Sequence, residues 1–367
     1  MSENEIIAVL RLQRVPNIGA VSAKKLIAKC DNPIAIFSDK LHHLLKIDGI
    51  GKSTLKGLND PEHLEAAERE YEYLKSNGLQ YFYFKDEDYP KYLRHCIDAP
   101  IILFKKGNIA LAHKKIISVV GTRNITSYGT AFCEQFVEDI APMDPVIVSG
   151  FAYGVDITVQ KAAMKLGLQN IACMAHGLNQ VYPKPHQKYA RDLERNGGFL
   201  TEFWSTSNPE REHFLKRNRI IAGISEATIV VESAEKGGSL VTADIAHGYN
   251  RDVFAVPGRS TDKYSEGCNN LIKKQKAQIL TSAADLVYLL GWQLEDEKKP
   301  VRQKQLFVEL DETEKSIYNY LQMNGKQQLD TIALACQIPI FKISSTLLNM
   351  EMKGAVRPLP GKLFEAI

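Results

Sequence analysis

The segment His213-Phe214-Leu215-Lys216-Arg217-Asn218-Arg219 puts an aromatic ring, three cations and an amide within six residues, and Ile220, Ile221 and Ile224 follow at once. Those isoleucines can anchor a helix on a core, which would leave Lys216, Arg217 and Arg219 crowding its first turn. The positive end of a helix dipole disfavours unpaired cations, so an external anion there would resolve the conflict. A nucleic-acid phosphate has the right charge, and Phe214 offers a face on which a base can stack. Two plainer readings compete: a basic, solvated turn, or an ion pair that ties Arg219 to Glu202 or Glu226.

Other turns add to this chemistry. Gly121-Thr122-Arg123 follows the β-branched run 116–120, and Arg123 can grip an anion with its planar fork. Ser149-Gly150 closes the run 146–148, and Tyr182-Pro183-Lys184 comes after the run 171–174. Lys236-Gly237-Gly238-Ser239 begins a helical pattern beyond the run 227–231. In an open parallel sheet such turns gather at the carboxyl ends of the strands, where ligands bind. Arg123, Lys184, Lys216, Arg217 and Arg219 would then surround one crevice able to hold successive phosphates. His176, His186 and His213 lie near its mouth, and a loop histidine more often packs or hydrogen-bonds than catalyses.

The elements that must position these residues form a doubly wound sheet. Between 116 and 290, continuous apolar strands alternate with helical patterns such as 128–140 and 159–166. That alternation requires a parallel sheet covered on both faces, an α/β Rossmann-like fold. No G-x-G-x-x-G follows the first strand and no GxxxxGK[ST] occurs, which argues against a dinucleotide cofactor and P-loop ATP hydrolysis. Six scattered cysteines without a CxxC pair indicate neither a zinc site nor a disulfide framework, and fit a reducing cytoplasm. No apolar stretch has the length of a membrane span. With 46 basic and 43 acidic residues, nucleic-acid binding would need a local patch rather than a global field.

The flanks differ from the centre. Residues 1–65 hold two glycine turns, Pro16-Asn17-Ile18-Gly19 and Asp48-Gly49-Ile50-Gly51, each expected between two short helices. They resemble tandem helix-hairpin-helix units, which hold DNA backbones; a purely structural helical domain is the alternative. Residues 293–306 read as a charged linker. In 307–367, helical patterns over 312–322, 329–335 and 340–353 precede a β-like ending, which suggests a winged helix. Seven acids against six bases there favour protein docking at least as much as DNA reading.

Taken together, Val120-Gly121-Thr122-Arg123, SGFAYGVD from Ser149, HGLNQVYPK from His176, RNRIIAGIS from Arg217, EKGGSLVTA from Glu235, VFAVPG from Val253 and EGCNNLI from Glu266 resemble the DNA-processing protein A (DprA/Smf) family. The resemblance spans about residues 65–290. It implies an extended Rossmann-like domain (66–292) that binds single-stranded DNA without catalysis, between a helix-hairpin-helix domain and a winged helix. It also implies a homodimer that loads the RecA recombinase onto incoming DNA in natural transformation and protects that DNA; a single-strand-binding protein is a further partner it allows. The positions carried over are Gly121, Thr122, Arg123, Ser149, Gly150, Lys184, Phe214, Lys216, Arg217, Asn218, Arg219, Gly237, Gly238 and Ser239. Leu215 departs from the family, which commonly has proline there, and this bears on the aim of Phe214 and Lys216. The rival class is a nucleoside-monophosphate phosphoribohydrolase on a related fold. The turn Ser233–Ala243 lacks that group's Gly-Thr and following Glu.

Overall fold

The computed structural model describes residues 1–112, 114–293, 310–359 and 363–366. The chain divides into two compact units, Met1–Leu294 and Glu295–Ile367. All of the expected linker beyond Gln293, and positions 360–362 of the expected β ending, lie outside the described residues.

The first unit begins with α1 (Glu3–Arg14), α2 (Ala20–Cys30), the single turns α3 (Ala35–Ser38) and α4 (Leu41–Leu44), and α5 (Pro61–Ser76). Ser2 and Glu5 cap α1 reciprocally, and Asp60 before Pro61 starts α5. Val9, Leu10 and Leu12 of α1 meet Leu26 and Ile27 of α2 and Leu74 of α5 in one core. Tyr83, Ile102 and Phe104 from the neighbouring sheet complete that core, and residue 65 lies inside α5. The first glycine turn joins two full helices, as expected. The second does not: α4 is a single turn, and residues 52–58 form turns rather than a helix. Gly57 at φ +81° interrupts that stretch, so Leu55 and Leu58 reach the core without helical support.

The rest of the unit is built on β1 (Gln80–Tyr83), α6 (Lys91–Arg94), β2 (Ile102–Asn108), β3 (Ile116–Gly121), α7 (Ser127–Ile140), β4 (Val146–Ser149), α8 (Val155–Lys165), β5 (Asn170–Cys173), α9 (Ala190–Arg195), β6 (Gly197–Thr201), α10 (Arg211–Ile224), β7 (Ala227–Val231), α11 (Gly238–Gly248), β8 (Asp252–Ala255), α12 (Glu266–Lys273), β9 (Gln278–Ile279) and α13 (Ala283–Leu289). Nine strands lie in the order β1-β2-β6-β5-β4-β3-β7-β8-β9. The run from β6 to β9 is parallel, and β1 and β2 extend one edge antiparallel. Side chains alternate between the faces. Ile117 and Val119 pack with Phe136, Val159 and Leu286 of α7, α8 and α13. Ile116 and Val120 pack with Ile220, Ala243 and Leu271 of α10, α11 and α12. The chain winds from β3 out to β6 and returns beside β3 as β7, so β3 and β7 flank the point where the winding reverses.

The second unit contains α14 (Glu312–Asn324), β10 (Gln327–Gln328), α15 (Leu329–Ala335), α16 (Ile340–Met352), β11 (Val356–Leu359) and β12 (Leu363–Ala366). Ile317, Leu321, Ile332, Ile343, Leu347 and Met350 form its core. Three helices and the sheet β10-β12-β11 make a winged helix. On α16, Phe341 and Met352 point to solvent, while Lys353 just beyond it pairs with Glu314 at 2.6 Å. No single helix among the described residues is long and apolar enough to cross a membrane.

β6 has no counterpart in the sequence reading, because it opens with two glycines, which are depleted in strands. Gly197 has φ +136°, and a Cβ there would collide with the backbone of Asn170 on β5. Gly197→Ala is therefore expected to destabilise the first unit by at least about 2 kcal/mol. Urea unfolding followed by tryptophan fluorescence checks this, since both tryptophans, Trp204 and Trp292, lie in that unit.

Candidate nucleic-acid interface

The carboxyl ends of β3, β4, β5 and β7 open on one edge of the sheet, and their loops are tied together there. Thr122 N–H donates to the Glu232 carbonyl at 2.8 Å, and Val155 N–H donates to the Thr122 carbonyl at 3.1 Å. Glu232 ends β7 at φ +57°. Its buried carboxylate accepts from Thr126 N–H at 2.9 Å and from the Thr126 hydroxyl. These bonds hold the Gly121-Thr122-Arg123 turn between the starts of α7 and α8. Ser149 Oγ donates to the Val119 carbonyl at 2.7 Å and fixes the end of β4 beside β3.

Arg217 lies beneath this edge, only 4% exposed. Its Nη1 donates to the Gly150 carbonyl at 2.8 Å and to the Cys173 carbonyl. Asp156 accepts from Gly150 N–H at 3.1 Å and from Ala152 N–H at 3.3 Å. Burial pushes the Asp156 carboxyl up, and the nearby Arg217 charge opposes that rise. Burial likewise pulls the Arg217 guanidinium down, against the support of Asp156. A side chain at Gly150 would enter the space that both groups fill.

One turn before Arg217 on α10, Phe214 faces the same edge. The Arg217 guanidinium carbon is 5.7 Å from the Phe214 ring centre, and that of Arg123 is 5.4 Å away. Tyr182, half exposed, meets Phe214 edge-on with centroids 5.9 Å apart. Behind Tyr182 sits buried His176, whose Nδ1–H donates to the Gly177 carbonyl at 2.8 Å. The mouth is thus an exposed guanidinium beside two aromatic rings, held by a buried guanidinium. Cation and ring together suit a phosphate with its neighbouring base.

The remaining expected positions lie on α10, on the segment after β5 and at the start of α11. Lys216 is exposed on α10 and Asn218 is half buried. Lys184 is exposed and opens the 3-10 segment Lys184–Tyr189. Gly237 precedes α11, where Ser239 Oγ donates to Ser233 Oγ at 3.0 Å. Arg219 turns elsewhere: it pairs with Glu202 and lies 3.9 Å from Asp98. Burial raises the Glu202 carboxyl and Arg219 lowers it. The competing ion pair with Glu202 is therefore the one this structure forms. The helix start also differs from the sequence expectation. α10 begins at Arg211, preceded by Glu210 and with Glu212 in its first turn. Lys216, Arg217 and Arg219 sit in later turns, so helix register, and not the dipole, decides where each cation points. The helix runs unbroken through Leu215, so Phe214 is aimed by regular helical geometry. The sequence reading set Tyr182 in the turn after the third strand without giving it a role; its aromatic type next to Pro183-Lys184 was the available signal.

Comparison with known proteins agrees with this architecture. Residues 80–291 match the family described as DNA recombination-mediator protein A, and residues 304–362 match the DprA winged helix domain. The chain belongs to this family. It is 37% identical to the DNA processing protein DprA of Bacillus subtilis over 213 residues, covering 58% of this chain and 71% of that relative. The X-ray structure of DNA processing protein A from Streptococcus pneumoniae superposes with a TM-score of 0.66 at 30% identity, covering 78% of this chain and 98% of that one. DNA processing protein A from Helicobacter pylori, solved for its single-stranded DNA binding mode, gives a TM-score of 0.52 at 29% identity over 57% of this chain and 95% of its own.

Two outcomes follow from the geometry. Arg217→Met removes two carbonyl bonds and leaves Asp156 buried without its countercharge, which should cost about 3–5 kcal/mol. Arg123→Ala, at an exposed site, should stay within about 0.5 kcal/mol of wild type in the same urea titration. Burial also pulls the His176 imidazole below its ordinary 6.5, so the folded protein keeps it neutral. The unfolded chain takes up that proton on acidification, and stability present above pH 6.5 is lost as the pH falls below it. His176→Gln should flatten the fall in thermal midpoint between about pH 7 and 5.5 relative to wild type.

Proposed function

We propose that this protein binds single-stranded DNA in the crevice at the ends of β3, β4, β5 and β7, and hands that strand to the RecA recombinase. In this reading it is a non-catalytic mediator that protects incoming DNA during natural transformation and works as a homodimer in the cytoplasm. The observation that carries the reading is Phe214 with the Arg123 and Arg217 guanidinium carbons 5.4 and 5.7 Å from its ring centre and Tyr182 edge-on beside it. Membership of the recombination-mediator family supports it, as does the likeness to the Helicobacter pylori protein.

Each residue then has a role. Arg123 takes a phosphate in its fork, and Tyr182 and Phe214 supply stacking surface worth about 1–3 kcal/mol per base. Lys184 and Lys216 act as mobile point charges on flanking phosphates. Thr122, Gly237 and Gly238 allow close backbone approach at the edge of the crevice. Arg217 positions Phe214 and the Gly150 loop from below, while Arg219, held by Glu202, braces α10. Such binding depends little on base sequence and falls steeply with salt. The winged helix, with Phe341 and Met352 exposed and Lys353 paired, suits protein docking more than groove reading.

Fluorescence anisotropy of labelled oligo-dT across a salt series, with a duplex of equal length as control, tests the reading. Wild type should prefer the single strand, with log affinity falling by about 0.7 per phosphate contact against log salt. Arg123→Ala should weaken binding about tenfold or more, the loss of one charge-assisted contact. Unchanged affinity in the variant would sink the assignment of the crevice. RecA ATPase on a strand precoated with single-strand-binding protein then tests loading, which the protein should accelerate. Release of free base from AMP or CMP would instead favour the nucleotide-hydrolase class.

A further inference from the structure

The 3-10 segment Lys184–Tyr189 runs directly into α9. Lys184, Lys188 and Arg191 are spaced four and three residues apart on this helical stretch, and all three are exposed. With Lys106 of β2 they line an open furrow of about 740 Å³. One acid stands in it, Glu194, 3.0 Å from the Lys106 ammonium. Four cations therefore share a furrow with a single carboxylate. The apolar lining is confined to small residues, Val181, Pro185 and Ala190. No aromatic side chain lines it, so the furrow lacks the kind of anchor that protein partners use. Its chemistry is that of a track for a polyanion.

The furrow is linked to the crevice through the chain. Tyr182, whose ring meets Phe214, is two residues from Lys184. Along the chain from Tyr182 come Lys184, Lys188 and Arg191 in turn, and Lys106 is joined to the same stretch through Glu194.

We infer that the furrow is a second stretch of the single strand's path, taking the phosphates of nucleotides that extend beyond the crevice. This rests on the single-strand reading above and adds Lys106, Lys188 and Arg191 to its residues. Glu194 has a definite role in this arrangement. It neutralises Lys106 and repels the backbone, so it limits how tightly the outer nucleotides are held.

The test uses the full chain and two oligo-dT lengths, one of about 6 nucleotides that fills the crevice and one of about 20 that reaches beyond it. Lys188→Ala combined with Arg191→Ala should weaken the long oligonucleotide about fivefold or more and leave the short one unchanged. Its salt dependence for the long strand should become shallower by about 1.4, two phosphates at about 0.7 each. Glu194→Gln should act in the opposite direction, tightening the long strand severalfold with no effect on the short one. Wild-type affinity and salt slope in the double variant would overturn the furrow while leaving the crevice standing. Equal weakening of both lengths would overturn it too, since the cations would then act through the crevice. If the double variant keeps the long strand but loses binding to poly-glutamate, the furrow belongs to an acidic protein instead. Absence of binding by wild type at both lengths overturns crevice and furrow together.

Discussion

A buried guanidinium organises the functional edge of this protein. Arg217 reaches from α10 under the sheet and bonds the carbonyls that end two neighbouring segments, Gly150 and Cys173. A guanidinium in that position is costly to desolvate; two carbonyls on Nη1 and the nearby Asp156 charge offset part of that cost, while its Nε stays without a hydrogen-bond partner. The same residue forms the floor under Phe214. Loop position, ring position and charge are thus coupled through one side chain. Both bonds come from the one Nη1 amino group, so a single terminal nitrogen bridges the two segments.

A second clasp works on the other side of β3. Glu232 adopts left-handed backbone geometry at the end of β7, which a side-chain-bearing residue adopts at a cost. Its carbonyl and its carboxylate both contribute, the first to Thr122 and the second to Thr126. The result is that the Gly-Thr-Arg turn is held from β7 by backbone and from α7 by its capping threonine. Arg123 itself is left exposed at the end of a rigid turn. An exposed cation on a fixed base loses less freedom on binding than one on a mobile loop, which favours affinity without new contacts.

Much of the fold was legible from residue pattern. The runs 116–120, 146–148 and 227–231 are almost wholly apolar, as parallel strands covered on both faces demand, and the two exceptions, Ser118 and Thr228, bond each other inside the sheet. β6 was hidden because its glycines serve close backbone approach rather than strand propensity, a requirement set by β5 and β2 and visible only once those strands are adjacent. The second glycine turn near residue 50 looked helical from its neighbours, yet Gly57 breaks the pattern. At the crevice, the types of Arg123, Phe214 and Arg217 announced the chemistry. What the sequence could not supply was direction. Lys216, Arg217 and Arg219 are near neighbours in the chain, yet one faces solvent, one is buried beneath the loops and one is held by Glu202. That division depends on α10 beginning at Arg211, several residues before its apolar face, and on an acid brought close only by the fold.

The division also explains how a chain with net charge of only +3 can attract a polyanion. Cations such as Arg219 and Lys114 are locked in ion pairs and contribute little field. Others are grouped where few acids intervene: Arg123 at the mouth, and Lys184, Lys188 and Arg191 along the adjoining furrow. At physiological ionic strength charges are screened beyond about 8 Å, so this local grouping and not the total decides attraction. On the proposed path, a phosphate chain would meet these grouped cations in turn. The aromatic pair at the mouth then contributes what charge alone does not, a preference for bases that are unstacked and free to meet a ring. Duplex DNA offers the same phosphates but keeps its bases stacked inside, so on the proposed reading the charge track would attract both forms and the rings would discriminate between them.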